Sequence, residues 1–320
     1  MQVIDIINKA LEGNTTRFGF ELLPPLKGDG TKNVFDAIDP LMEFDPAYVN
    51  VTYHREDIKY VEKPGGLLEK RVVRRRPGTV GISAAIMKRY GIEAVPHLIC
   101  GGQSKYDIED ALIDMDFLGV HNVLALRGDN MKGERAFTPN HDGHCYASEL
   151  VRQISDMNNG IFVDGEVDEC HHSEFCIGVA GYPEKHSESP NLDTDMRALK
   201  AKVDAGASYI VTQMSFDNSR IFSFIDRCRA AGIDVPVIPG IKPFSTKAQL
   251  ALLPQTFHVD LPQDLVAAVE KCKDNKEVRQ IGVEWAVMQA KELKAAGLPV
   301  IHIYTMGKTD NVYNIARQVF

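Results

Sequence analysis

Two carboxylates in this chain stand where carboxylates are costly to place. Glu21 lies inside the apolar run Phe18-Gly19-Phe20-Glu21-Leu22-Leu23, which ends in Pro24-Pro25. A buried carboxyl keeps its proton to higher pH, and that suits a general acid near neutrality. The alternative is an alternating strand that turns Glu21 to water. Asp129 closes the segment Asn122-Val123-Leu124-Ala125-Leu126-Arg127-Gly128-Asp129. Its apolar part has no helical period and reads as a strand covered on both faces. An opposite-charge pair about a glycine, placed where such a strand stops, is poor packing material. It is good site material, because the strand fixes the side chains and Gly128 lets a ligand approach the backbone. An ordinary strand exit carrying a solvated ion pair is the competing explanation.

Other apolar runs end in similar chemistry. One ends in Thr52-Tyr53-His54, one contains His97, and one leads to Tyr182-Pro183-Glu184-Lys185-His186. Three more end at Gln213, at Pro239-Gly240 and at Tyr304-Thr305. These runs predict eight strands, at 18–22, 48–52, 95–99, 123–126, 177–180, 209–213, 235–239 and 300–305. Helical patterns separate them, at 32–44, 80–90, 105–118, 146–157, 194–205 and 219–231, with further ones at 246–253, 263–275, 276–296 and 311–319. Gly119, Gly206, Gly232 and Gly297 each follow a helical pattern and precede an apolar run, as C-terminal cap glycines do. Within 276–296, Val278, Ile281, Trp285 and Met288 form a stripe expected to face the core.

Eight strands alternating with helices predict an α/β fold, a (β/α)8 TIM barrel filling residues 1–320 as a single domain. Function in such a barrel collects at the C-terminal ends of the strands, where the residues above lie. The doubly wound alternative lacks its usual G-x-G-x-x-G turn. Gly307-Lys308-Thr309 imitates the end of a phosphate loop, but His302 stands where that motif needs glycine. Two polar excursions, 130–145 and 158–173, are expected to decorate the rim or form a lid.

Composition excludes several classes. The chain has 320 residues, 44% of them hydrophobic, and a formal charge of −8, which argues against a nucleic-acid or anionic-membrane surface. No apolar stretch suits a membrane span, and the first residues lack a signal-peptide pattern. Six cysteines without a CxxC pair suit a reducing cytoplasm. Cys170-His171-His172 with Cys176 matches no standard zinc spacing, so no metal is expected. The basic run 70–76 is expected to be a solvated or intersubunit face.

The motifs then converge. Phe20-Glu21-Leu22-Leu23-Pro24-Pro25 resembles the opening motif of the methylenetetrahydrofolate reductases. So do Val51-Thr52-Tyr53, Pro96-His97-Leu98, Ala125-Leu126-Arg127-Gly128-Asp129 and Tyr146-Ala147-Ser148. Tyr182-Pro183-Glu184 with His186, Lys202-Val203-Asp204-Ala205-Gly206-Ala207, Thr212-Gln213 and Ile238-Pro239-Gly240-Ile241 complete the order across about the whole chain. The likeness is to the bacterial type, a catalytic barrel alone.

The resemblance implies FAD at the strand C-termini, NADH or NADPH as electron donor, and methylenetetrahydrofolate as the small-molecule substrate. Hydride would pass through the flavin in a ping-pong relay to give 5-methyltetrahydrofolate. It implies Glu21 as general acid and Asp129 as the acid facing flavin and pterin. Gln213, Gln249 and Lys308 match folate-contacting positions, and Thr52 lies near the nicotinamide. Thr52, Tyr53, His97, Arg127, Gly128, Asp129, Ala147, Tyr182, His186, Asp195 and Lys202 match cofactor-binding positions. It further implies a homo-oligomer. Ala198 and Ala201 depart from an Asn and an Arg that serve the FAD phosphates in many members. Leu253 replaces an aromatic residue, Lys308 an arginine, and Arg55 a small residue. A partner-dependent folate- or flavin-binding subunit and a proline-dehydrogenase-like flavin barrel are the competing functions.

Overall fold

The computed structural model describes residues 1–320 except 131–135, 168, 170 and 308. The strands are β1 (Arg17–Leu22), β2 (Tyr48–Val51), β3 (Asp57–Lys63), β4 (Leu67–Val73), β5 (Ala94–Ile99) and β6 (Asn122–Leu126). They continue with β7 (Ile161–Phe162), β8 (Gly165–Glu166), β9 (Cys176–Gly181), β10 (Tyr209–Met214), β11 (Val237–Ile241) and β12 (Val300–Ile303). The helices are α1 (Val3–Glu12), α2 (Lys32–Ile38), α3 (Thr79–Tyr90), α4 (Lys105–Phe117), α5 (Ala147–Asn158) and α6 (Leu192–Asp204). After them come α7 (Asn218–Ala230), α8 (Gln249–Phe257), α9 (Gln263–Lys271), α10 (Asn275–Ala295) and α11 (Asp310–Val319).

Eight parallel strands close in the order β1-β12-β11-β10-β9-β6-β5-β2, which is the expected (β/α)8 barrel. Every strand foreseen from an apolar run is a barrel strand. The four cap glycines all adopt positive φ, from 69° to 122°, each just beyond a helix. The 32–44 helix is split into α2 and a 3-10 turn at Asp39–Phe44, where Pro40 removes a donor. Met288 is an error of phase: it is 51% exposed, while Val278, Gly282, Val283, Ala286, Val287, Ala290 and Leu293 form the buried face of α10.

Helix α1 and two ribbons, β3–β4 and the short β7–β8, were not foreseen. Helix α1 carries Val3, Ile6, Ile7 and Ala10 on one face, and the first three pack into the barrel against Tyr48, Val95, Leu124, Tyr209, Val211, Ile238 and Val300. Its start is held at the N-terminal ends of the strands. The Val3 N–H donates to Asn122 Oδ1 at 2.8 Å, and Gln2 donates to the Glu174 carbonyl at 2.8 Å. That end of the barrel is therefore plugged, and the opposite end is the mouth. Strands β3 and β4 pair antiparallel as a ribbon outside the barrel. The basic run 70–76 begins in β4.

The barrel interior is filled by rings lying over glycines. A Cβ on Gly19 would stand 2.5 Å from the Tyr48 ring, and one on Gly178 would stand 2.5 Å from the Tyr209 ring. Tyr48 stacks on His302 at 5.9 Å between centroids, and Tyr304 lies edge-on to His302 at 4.8 Å. His302, which spoils the phosphate-loop match, has no role legible in the sequence. In the structure it is a buried core histidine held neutral, its pKa lowered to about 3 by burial.

Candidate functional site

Strand parity brings the candidate residues to the mouth. On β1, Gly19 faces Tyr48 inside the barrel, so Glu21 two residues later faces inward as well. It is not turned to water. Burial raises its carboxyl pKa from 4.5 to about 7, against a weak bond from the Met306 N–H at 3.4 Å and the positive charge of Lys242. Thr305 Oγ1 donates to the Glu21 carbonyl at 3.0 Å, which ties the end of β1 to the exit of β12.

Lys242 was not anticipated. It follows β11 on the same inward parity as Ile238 and Gly240, is only 2% exposed, and donates to the Pro243 carbonyl at 3.1 Å. Burial lowers its pKa to about 8, and Glu21 partly restores it. The pair thus places a protonatable carboxyl and an ammonium together at the mouth, both titrating within about a unit of neutrality. Tyr304 shares this corner, its hydroxyl donating to the Thr212 carbonyl at 2.7 Å.

Asp129 follows β6 at the same end of the barrel and is exposed there. Its charge acts on His54, Arg127 and Tyr182. Gly128 adopts φ 86°, and a Cβ there would approach Ile99 within 3.2 Å. Arg127 donates twice to the Glu188 carboxylate, at 2.5 and 2.7 Å, and its guanidinium lies 4.9 Å over the Phe137 ring. Tyr182 meets His186 edge-on at 4.8 Å. The Lys202 ammonium donates to the Ala180 carbonyl at 2.5 Å and lies 5.9 Å from the Tyr182 ring. Burial lowers the Lys202 pKa to about 8, and Asp195 opposes that shift. Asp195 accepts from Ser189 Oγ at 2.7 Å. Ala147 opens α5, whose N-terminus follows the β6 exit.

Thr52 Oγ1 donates to the Leu22 carbonyl at 3.2 Å and lies 3.3 Å from His54 Nε2. The Tyr53 hydroxyl donates to Glu56 at 3.4 Å. His97 is inward on β5, its pKa lowered to about 3 by burial, with Nε2 buried and unpartnered. Gln213 folds back, its oxygen accepting from the Met214 N–H at 2.9 Å. Gln249 is placed differently from the others. It is 8% exposed and its oxygen accepts from the Ser245 and Thr246 N–H groups, so it staples the turn before α8. Lys308 lies outside the described residues, as do part of the 130–145 excursion and Cys170. The 158–173 excursion contains the short β7–β8 hairpin.

A dinucleotide flavin needs cations for its phosphates and polar edges for its rings. The exits of β5 and β6 offer buried polar atoms without a partner: His97 Nε2, Gln103 Oε1 and Asn130 Oδ1. Arg127 and Lys202 supply the cations and His186 an imidazole that burial keeps neutral, so the residues present fit such a group. Two features work against tight binding. Glu188 occupies Arg127, and Ala198 and Ala201 are exposed with nothing to offer a phosphate.

Comparison with known proteins decides the family. A family model described as methylenetetrahydrofolate reductase matches residues 6–319. The chain belongs to the methylenetetrahydrofolate reductase family. It is 34% identical over 291 residues to methylenetetrahydrofolate reductase 1 of Schizosaccharomyces pombe, covering 90% of this chain and 43% of that protein. It is 31% identical to the Arabidopsis thaliana methylenetetrahydrofolate reductase (NADH) 1, covering 96% of this chain and 48% of that protein. The chain therefore spans about half the length of these curated relatives. The Escherichia coli 5,10-methylenetetrahydrofolate reductase is 30% identical over 297 residues, covering 92% of this chain and 88% of that protein. Among solved structures, a Clostridium thermocellum protein described as binding two copies of 5-methyl-5,6,7,8-tetrahydrofolic acid superposes with a TM-score of 0.55 over 98% of both chains. At 12% identity it speaks for the barrel alone. Glu21 and Asp129 stand at one end of this reductase-family barrel, at the exits of β1 and β6. Among the described helices, none is long and apolar enough to cross a membrane.

Proposed function

We propose that this protein reduces 5,10-methylenetetrahydrofolate to 5-methyltetrahydrofolate with FAD and a reduced nicotinamide nucleotide. The observation that carries the reading is the inward carboxyl of Glu21, poised near pH 7 at the mouth of a barrel of this family. Bound FAD supplies the hydride carrier between donor and folate. Arg127, His186 and Lys202 would meet its phosphates and His97 its ring edge, with Tyr53, Tyr182 and Ala147 lining it and Asp195 holding Lys202. Arg127 is free for this only when Glu188 releases it.

The chain's own chemistry is acid catalysis and placement. With its pKa raised to about 7, Glu21 keeps a large protonated fraction near neutral pH and gives that proton to the folate nitrogen that departs as the five-membered ring opens. Lys242 faces the carboxylate that remains and favours it. Asp129 accepts from the amino edge of the pterin, while Gln213 and the amide of Gln249 offer further polar contacts. Thr52 stands beside the donor's nicotinamide. Closing the far end of the barrel with α1 keeps bulk water out of the base of the site.

The test is a colour cycle. Purified protein should be yellow, NADH or NADPH should bleach it without air, and methylenetetrahydrofolate should restore the colour. Colourless protein that binds folate and not FAD would make it a partner-dependent subunit, a reading that the exposed Ala198 and Ala201 would then explain. Bleaching by proline would make it a different flavin barrel.

A further inference from the structure

A cavity of about 200 Å³ lies at the foot of the β3–β4 ribbon, lined by Leu26, His54, Arg55, Asp57, Arg75 and Arg76. Each water takes about 30 Å³ of liquid, so the space suits a small polar group with its hydration. Three guanidiniums and an imidazole face it, in a chain whose formal charge is −8. Its one carboxylate, Asp57, is already paired with Arg75. Arg76 donates to the Pro24 carbonyl, which leaves its charge without a counter-ion there. Arg55 Nη1 is buried and has no partner, and the guanidinium is wedged against Gly101 and Gly102 at the β5 exit. Within the cluster Arg55 Nη1 is the buried atom, and leaving a buried guanidinium nitrogen unpartnered is costly, so an anion reaching it would be favoured, while the more exposed Arg75 and Arg76 add positive charge at the rim. Planar guanidinium forks match phosphate oxygens two at a time.

The cavity is tied to the loop after β1 and has a wall residue close to the mouth. The Lys27 N–H donates to the Arg75 carbonyl at 2.7 Å, tying the loop after β1 to the ribbon foot. His54, in the cavity wall, lies 3.3 Å from Thr52 Oγ1 and feels the charge of Asp129. The cavity thus opens beside the residue placed nearest the nicotinamide.

We infer that the cavity is a phosphate site and that it takes a phosphate group of the nicotinamide dinucleotide donor. The second half rests on the reductase function proposed above; the first half does not. Free inorganic phosphate is the other source of the same chemistry, and the experiment separates them.

The probe is inorganic pyrophosphate, titrated by calorimetry into the intact protein and into Arg75→Ala and Arg76→Ala. Wild-type protein should bind it, more weakly as salt is raised, and each alanine should weaken binding about tenfold. Arg75→Lys and Arg76→Lys keep the charge without the fork, so they should show an intermediate loss even where an alanine variant folds poorly. In kinetics, the same variants should raise KM for NADH or NADPH about tenfold, and pyrophosphate should compete with the donor. Reoxidation by methylenetetrahydrofolate should be unchanged. Absence of pyrophosphate binding to wild type at low salt would overturn the site. Pyrophosphate binding that the variants lose, with donor KM unchanged, would overturn the donor assignment and leave a free-phosphate site. Pyrophosphate binding with no reduction by either donor would instead overturn the reductase function.

Discussion

Replacing Glu21 with glutamine should make the protein more stable, and increasingly so as pH rises. The carboxyl titrates near 7 in the folded protein and near 4.5 when exposed. Between these values the folded state holds more protons than the unfolded one, so wild-type stability falls as pH rises through the window. At about 1.4 kcal/mol per pH unit, the full cost of charging the buried group is up to about 3 kcal/mol. Glu21 keeps some surface open to the mouth, so the measured value should lie below that limit. Glutamine has nearly the same shape and no charge, so this pH-dependent cost disappears. Lys242 loses its counter-charge in the variant and gives up its proton earlier, which adds to the variant's gain at the alkaline end of the window in the same direction. Urea unfolding followed by the fluorescence of Trp285, the single tryptophan, gives the assay. The stability of variant minus wild type should grow from near zero at about pH 4.5 to about 2–3 kcal/mol at about pH 7.5. A difference that stays flat across this range would refute the buried, proton-holding carboxyl.

Lys242→Met should raise the Glu21 pKa, because the ammonium is one of the two influences lowering it, so the alkaline limb of folate reduction should move to higher pH in a pH-rate profile. At about pH 5.5, where Glu21 is protonated, the same variant should be more stable by about 2 kcal/mol in urea unfolding, since a buried charge is gone. Glu188→Gln should release Arg127 and tighten FAD several-fold, read by flavin fluorescence quenching on binding to the apoprotein. Gly19→Ala should cost about 3 kcal/mol of unfolding free energy, because its Cβ would stand 2.5 Å from a ring boxed in by the barrel.

The barrel was legible because parallel strands covered on both faces must be apolar runs, and cap glycines mark where helices yield to them. Val123 to Leu126 needed no partner information to be read as a strand. The acid at position 21 was legible for the same reason, as a charge inside such a run. Helix α1 carried its signal openly in Val3, Ile6, Ile7 and Ala10, but a plug makes sense only once there is a barrel to close. The β3–β4 ribbon left no trace because both of its faces meet water: Tyr60, Leu67, Leu68 and Val72 are all more than 60% exposed and lie among charged residues without a period-2 pattern. Lys242 was hidden because a lysine after a strand ordinarily reads as solvated. Only the parity of Ile238 and Gly240, and the closure of β11 on β12, turn it inward. Arg55 is separated from Arg75 and Arg76 by the whole ribbon, and the three meet in space only because the ribbon folds back on its own foot.

Glu21 as the proton donor to folate is the center of this account, and a single-turnover experiment on Glu21→Gln addresses it most directly. The FAD-loaded variant should be bleached by NADH or NADPH at close to the wild-type rate. Mixed then with methylenetetrahydrofolate without air, it should stay bleached, with reoxidation slowed by about a hundredfold or more. Recovery of the yellow color at the wild-type rate would show that the proton comes from elsewhere.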